Sequence, residues 1–303
     1  MEIPGIIHRS TLQAKGVSRR RRQSWLASGA MRSVPPWYIT PEAPPDIVAL
    51  LEHGMRPTCL DAASLHGLWV PVHEGTHVFR PRSTSSRGDL EKVLAAPIRR
   101  RRGEPLADRD PQPLVLHRTE LRSWVDDHPV PDLGIALEHA GRCLPTVKAA
   151  VLFESALHRR LLSRRDADRV IALLPQRFGR PLGRIRGDAE SGTETMVRWW
   201  LEARRIPVRS QVLFPRDDRR VDLLVGRRWV IECDSREFHD DPDGYEQDRA
   251  RDLHLVAHGY QVTRLSWKQV CVEWASTEAM LRAVLSRGEH LRPPRAGTGM
   301  LAA

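Results

Sequence analysis

The stretch from 220 to 234, RVDLLVGRRWVIECD, constrains this chain more than any other. It reads as two apolar runs, Arg220–Val225 and Trp229–Asp234, separated by Gly226-Arg227-Arg228, and predicts two adjacent antiparallel strands. Each run carries acid among aliphatic residues, where a carboxylate is rarely left without a partner. Strand side chains alternate, so Glu232 and Asp234 share one face and Cys233 takes the other. With a three-residue loop Val225 pairs with Trp229, and Asp222 falls opposite Glu232. A two-residue loop would set Asp222 against Ile231, with the two carboxylates on opposite faces. Facing carboxylates repel unless a cation lies between them. Carboxylates with a backbone carbonyl and water are the hard-oxygen set that Mg²⁺ prefers.

The flanking sequence extends this pair into a domain. Ser191–Arg205 has the apolar spacing of an amphipathic helix, with Glu194 in its first turn able to offer another oxygen. Val208–Phe214 reads as a strand. Asp243–His258 reads as a helix closed by Gly259, Tyr260–Leu265 as a further strand and Ser276–Arg287 as a last helix. The predicted order is α-β-β-β-α-β-α. Trp199, Trp200, Trp229 and Trp267 are expected in the core.

Glu194, Asp222 and Glu232-Cys233-Asp234, on that order of elements, resemble the PD-(D/E)XK nuclease fold, a restriction-endonuclease-like α/β core. More narrowly, Val221-Asp222, Glu232-Cys233-Asp234-Ser235 with His239, Asp248-Arg249-Ala250-Arg251-Asp252 and Gly259-Tyr260-Gln261-Val262-Thr263-Arg264 resemble an actinobacterial family of unknown function. That family is related to the very-short-patch-repair (Vsr) endonucleases, and the match covers about 188–287. The resemblance implies hydrolysis of DNA phosphodiester bonds with Mg²⁺ or Mn²⁺. Asp222, Glu232, Asp234, His239 and Glu194 would be the catalytic residues. Asp222, Glu232 and Cys233 would hold the metal, Cys233 through its backbone. Arg249 and Arg251 would meet phosphate or tie down the motif. Two departures stand out: Asp234 occupies the place of the motif lysine, and Ser235 that of a glycine. Asp252, by contrast, is expected to bridge arginines on a solvated helix.

Charge is distributed unevenly over the 303 residues, whose formal net charge is +10. Residues 1–40 hold seven cationic side chains against one acid, and 157–187 hold nine arginines against two acids. Residues 191–273 carry 14 basic and 15 acidic residues, so the excess lies upstream of the acidic strands. A helix up to Ala14, a turn at Gly16, a helix from Arg19 to Ala27 capped by Ser18, and short strands Met31–Val34 and Trp37–Thr40 suggest a winged helix-turn-helix. Its second helix would present Arg19, Arg20, Arg21 and Arg22 to DNA. This segment resembles the winged helix of AbiEi-type antitoxins. The expected organisation is a DNA-binding module at 1–40, a mixed α/β region at 41–187, the nuclease-like domain at 188–287 and a disordered tail at 288–303.

His73-Glu74-Gly75-Thr76-His77 matches the zinc-protease pattern HExxH. That mechanism needs both histidines on one helix face, whereas the β-branched and proline-flanked surroundings predict strand, turn and strand. His73 and His77 are therefore expected to be hairpin histidines without zinc. Cys59, Cys143, Cys233 and Cys271 form no CxxC pair, which argues against a zinc ribbon or a disulfide scaffold. No apolar run approaches the length of a membrane span, so a cytoplasmic protein is expected. The first reading is a metal-dependent DNA endonuclease. The second, of another class, is a DNA-binding regulator or antitoxin-like protein with a silent nuclease fold, a reading favoured by the missing lysine.

Overall fold

The computed structural model describes residues 1–81, 113–117, 126–214, 219–234, 249 and 252–294. They form a mixed α+β fold with three small sheets. The chain divides into two compact units, residues 1–149 with 164–183 and residues 150–163 with 184 onward.

The first unit opens with β1 (Ile6–His8), α1 (Arg9–Ala14), α2 (Arg19–Ala27), β2 (Arg32–Val34) and β3 (Trp37–Ile39). The strands form an antiparallel sheet in the order β1-β3-β2. Ser18 caps α2 by accepting the Arg21 amide, as its sequence position suggests. The strand β1 replaces the beginning of the expected first helix. Pro4 and Gly5, the latter at φ +78°, turn the chain, and the β-branched pair Ile6-Ile7 then favours extension.

There follow α3 (Pro45–Glu52), β4 (Arg56–Pro57), α4 (Cys59–Leu65), β5 (Thr76–Phe79) and β6 (Leu114–His117). The second sheet has the order β4-β5-β6, with β5 and β6 parallel. The helices α5 (Leu133–Cys143), α6 (Thr146–His158), α7 (Arg164–Ala172) and α8 (Gln176–Leu182) come next, and α6 contains the boundary between the units. Ile3, Ile6, Trp37 and Ile39 share one apolar core with Ile47, Leu50, Met55, Val78 and Val130. Ile3, Ile6, Val34, Trp37 and Ile39 of residues 1–40 are therefore built into one core with the following segment.

The second unit contains α9 (Gly192–Ala203), β7 (Val208–Phe214), β8 (Arg219–Val225) and β9 (Trp229–Asp234). Residues 249 and 252–257 are helical (α10), and β10 (Gln261–Ser266), α11 (Trp267–Cys271) and α12 (Trp274–Ser286) complete it. The sheet order is β10-β9-β8-β7, antiparallel except for the parallel β9–β10 pair. Both faces are covered, which explains the near-continuous apolar runs of β8 and β9. Val197, Trp200, Leu201, Val270 and Leu281 pack against Leu223, Val225, Trp229, Ile231 and Cys233 on one face. Leu255 and Tyr260 pack with Phe214, Val221, Leu224 and Val230 on the other. Trp199, Trp200 and Trp229 are buried as expected, whereas Trp267 is only half-buried at the start of α11.

Two boundaries differ from those expected. Residues 150–163 belong with the C-terminal unit, because Glu154 is buried there against α9. It pairs with the buried Arg198 and accepts hydrogen bonds from Thr195 Oγ1 and Trp199 Nε1, both at 2.9 Å, and from the Arg186 amide at 3.1 Å. Residues 288–294 are not a loose tail. The His290 side chain is buried, and its carbonyl accepts the Arg227 amide of the β8–β9 loop at 2.8 Å. Residues 295–303 lie outside the described residues.

Candidate functional site

The β8–β9 hairpin has the expected three-residue register, with Val225 opposite Trp229, Leu224 opposite Val230 and Leu223 opposite Ile231. One step further lie Asp222 and Glu232, and there the ladder opens. The Asp222 amide points to Glu232 Oε2 at 3.4 Å, and the Cys233 amide donates to Asp222 Oδ2 at 2.8 Å. On the other side of β8 the pairing skips the same residue, running from Ser210–Leu223 to Val212–Val221. Asp222 thus enters neither ladder. Gln211, which faces the gap, has φ +52°, a left-handed conformation that costs a non-glycine residue on the order of 1–3 kcal/mol. Strand alternation also inverts here, since Val221 packs in the same cluster as Leu224. Side-chain carboxylates occupy space where the central strand would otherwise pair.

Glu194 is brought to this opening by the first turn of α9. Ser191 caps the helix by accepting the Glu194 amide, and Glu194 Oε2 accepts from the Glu190 amide at 3.2 Å and from Gln211 Nε2 at 2.6 Å. Glu194 is 3% exposed and Glu232 5% exposed, so neither charge is dispersed by water. Burial, followed by the negative charge of Asp222, pushes the Glu194 carboxyl up to about 7. Burial and then the charges of Asp222, Glu194, Glu232 and Asp234 push the Cys233 thiol up as well. No family model, curated protein or solved structure matches this chain.

Asp234 is less enclosed. Its Oδ1 accepts from Arg264 Nη1 at 3.0 Å, and Arg264 also grips Asp252 through Nε and Nη2 at 2.8 and 3.0 Å. Arg264 is the β10 neighbour of Glu232, and its guanidinium lies beside Asp234. Asp252 is an ion-pair partner, as expected, and among the described residues Arg264 of β10 pairs with it. The Cys233 side chain is buried in the α9-facing cluster, so any metal contact from this residue falls to its backbone. Arg249 is exposed. His239 and Arg251 lie outside the described residues.

In the first unit Arg19, Arg20 and Arg21 are exposed along α2, whereas Arg22 is half-buried. The Arg21 guanidinium lies over the Trp25 ring at 5.1 Å, which holds it against the helix surface.

The HExxH stretch is not a helix, yet its histidines are not hairpin histidines either. His77 is buried in β5, between β4 and β6. Its Nδ1 lies 3.0 Å from His117 Nε2 and 3.9 Å from Cys143 Sγ. Cys59 joins them, and the four donor atoms lie within 4.8 Å of one another. His73 stands apart, with Nδ1 on the Pro71 carbonyl at 3.1 Å and Nε2 3.9 Å from Asp61. The four residues span 59 to 143 with no short spacing between them, so no local motif reveals this cluster.

Proposed function

We propose that the protein is a Mg²⁺-dependent DNA endonuclease with a restriction-endonuclease-like C-terminal core, and that α2 and its arginines meet the DNA backbone. The observation that carries this reading is the meeting of Asp222 and Glu232 at the interruption of β8, where each carboxylate faces a backbone amide of the other strand, with the Glu194 carboxyl near enough to feel the Asp222 charge. Burial and then the charge of Asp222 raise the Glu194 carboxyl, a cost that a bound cation would offset. Hard oxygen donors of this kind fit Mg²⁺ or Mn²⁺ and not a thiophilic metal.

Asp222, Glu232 and Glu194 would hold the ion, with the Cys233 carbonyl as a further donor. When bound there, Mg²⁺ supplies a Lewis acid that polarises the phosphodiester, lowers the pKa of water and offsets transition-state charge. The chain's own residues prepare the site. The Cys233 amide fixes the orientation of the Asp222 carboxylate, Gln211 fixes Glu194, and Arg264 holds Asp234 beside them. Arg19, Arg20 and Arg21 would supply the sequence-independent phosphate contacts that dominate DNA affinity.

A second reading is a DNA-binding regulator whose nuclease core is silent. It is favoured by the Arg264 ion pair, which occupies Asp234 at the position of the motif lysine. Incubating the purified chain with supercoiled plasmid, with and without Mg²⁺, separates the two. Nicking that requires Mg²⁺ and is lost in Asp222→Asn supports the endonuclease. DNA binding without cleavage under either condition supports the regulator.

A further inference from the structure

We infer that Cys59, His77, His117 and Cys143 form a structural zinc site in the first unit, independent of the carboxylate site. A tetrahedral zinc with sulfur ligands at about 2.3 Å and nitrogen ligands at about 2.0–2.1 Å spaces its donors roughly 3.3–3.8 Å apart. The His77–His117 separation of 3.0 Å and the His77–Cys143 separation of 3.9 Å bracket that range. The 4.8 Å limit on all four donors leaves room for a single ion and no more. Two thiols with two imidazoles are the soft and borderline donors that zinc selects, and four protein ligands close the coordination shell. A closed shell is the mark of a structural site, with no open position for water or substrate.

The backbone is arranged to hold these donors. Cys59 begins α4 at φ +50°, a conformation disfavoured for a residue with a Cβ. The chain is fastened to β5 on both sides of it: the Thr58 amide donates to the His77 carbonyl at 2.8 Å, and the His77 amide donates to the buried Asp61 at 2.6 Å. His117 ends β6, two positions past Val115, the strand neighbour of His77, and so on the same face as His77. Cys143 is the last residue of α5. One turn earlier on that helix, His139 stacks on His117 with ring centroids 5.6 Å apart and bonds Thr58 Oγ1 at 2.7 Å. Supporting contacts of this kind orient ligands in metal sites.

The benefit to the fold is specific. Among the described residues β6 is a four-residue strand paired on one side only, and the zinc would tie it to α4, β5 and α5. Binding free energy at such a site is folding free energy.

The test is the metal content of the full chain, expressed with zinc and purified under reducing conditions without chelator. We expect stoichiometric zinc in the wild type and in His73→Ala, and its loss in Cys143→Ser and His117→Gln. Cobalt substitution provides a readout that needs no variant: the wild type should show tetrahedral d–d bands and a thiolate charge-transfer band. Chelation should lower the wild-type melting temperature to that of Cys143→Ser. Zinc-free wild type with no thermal shift on added zinc would overturn the inference. So would zinc retained in Cys143→Ser, or a Cys59–Cys143 disulfide in place of the metal.

Discussion

The Asp222 carboxylate accepts the Cys233 amide hydrogen at 2.8 Å, where the β8–β9 ladder stops. A side-chain oxygen thus serves a backbone donor in the middle of a sheet, and the acid is fixed in orientation before any ligand arrives. Asn keeps an oxygen that can accept this bond while removing the charge. Asp222→Asn should therefore fold with a melting temperature no lower than wild type. It should lose any thermal shift that Mg²⁺ gives the wild type, as differential scanning fluorimetry with and without the ion would show.

Glu194 governs a pH effect. Its folded-state value of about 7 lies above the ordinary 4.5, so the folded chain binds more protons than the unfolded chain between those values. Stability conferred by the protonated form is present below about 4.5 and is lost as pH rises through about 7. Glu194→Gln removes this dependence and should stabilise the metal-free protein above pH 7 by on the order of 3 kcal/mol. Urea denaturation at several pH values would show it. Mg²⁺ needs the ionised carboxylate, so its affinity should rise with pH over the same interval.

Glu154 should be the most sensitive acid for folding. It is 1% exposed and its partner Arg198 is fully buried, so Glu154→Ala leaves a buried guanidinium in the second unit whose remaining carboxylate partner is Glu202, at 3.0 Å. The expected loss is about 3–5 kcal/mol. The exposed Arg164–Asp168 pair on α7 should be worth no more than about 1 kcal/mol. Chemical denaturation of Glu154→Ala and Asp168→Ala gives the comparison.

DNA affinity should depend steeply on salt. If six or more phosphates are neutralised, binding should weaken by roughly 10³–10⁵ between about 50 and 200 mM salt. The double variant Arg19→Ala/Arg20→Ala should bind duplex DNA more weakly and with a shallower slope. Fluorescence anisotropy at several salt concentrations measures both, and a flat titration contradicts the assignment of α2.

The hairpin register was legible because two apolar runs around Gly226 admit few pairings, and parity separates a two-residue loop from a three-residue one. The cap of α2 was legible for a similar reason, since Ser18 stands directly before a helical run. The inversion of alternation at Asp222 was not, because it arises from packing on both faces of β8 and from the unusual backbone of Gln211. Glu154 carries a sequence signal, since it is the one charged residue in the run 149–157, AAVLFESAL. Such an acid needs a partner, but nothing local identifies Arg198, 44 residues on. The Cys59–Cys143 cluster left no trace in spacing, because its four ligands come from four separate elements. The absence of CxxC excludes zinc ribbons and says nothing about sites assembled by tertiary structure. Residues 1–40 read as a module because their local elements are clear, whereas their core is supplied by residues as distant as Val130.

The most direct test is a Mn²⁺ titration of the full chain followed by electron paramagnetic resonance, comparing wild type with Asp222→Asn. If Glu194, Asp222 and Glu232 share a cation as proposed, the wild type should show a saturable Mn²⁺ site, displaced by excess Mg²⁺ and absent from the folded variant. No saturable binding in the wild type, or the same site retained in Asp222→Asn, would contradict the proposal.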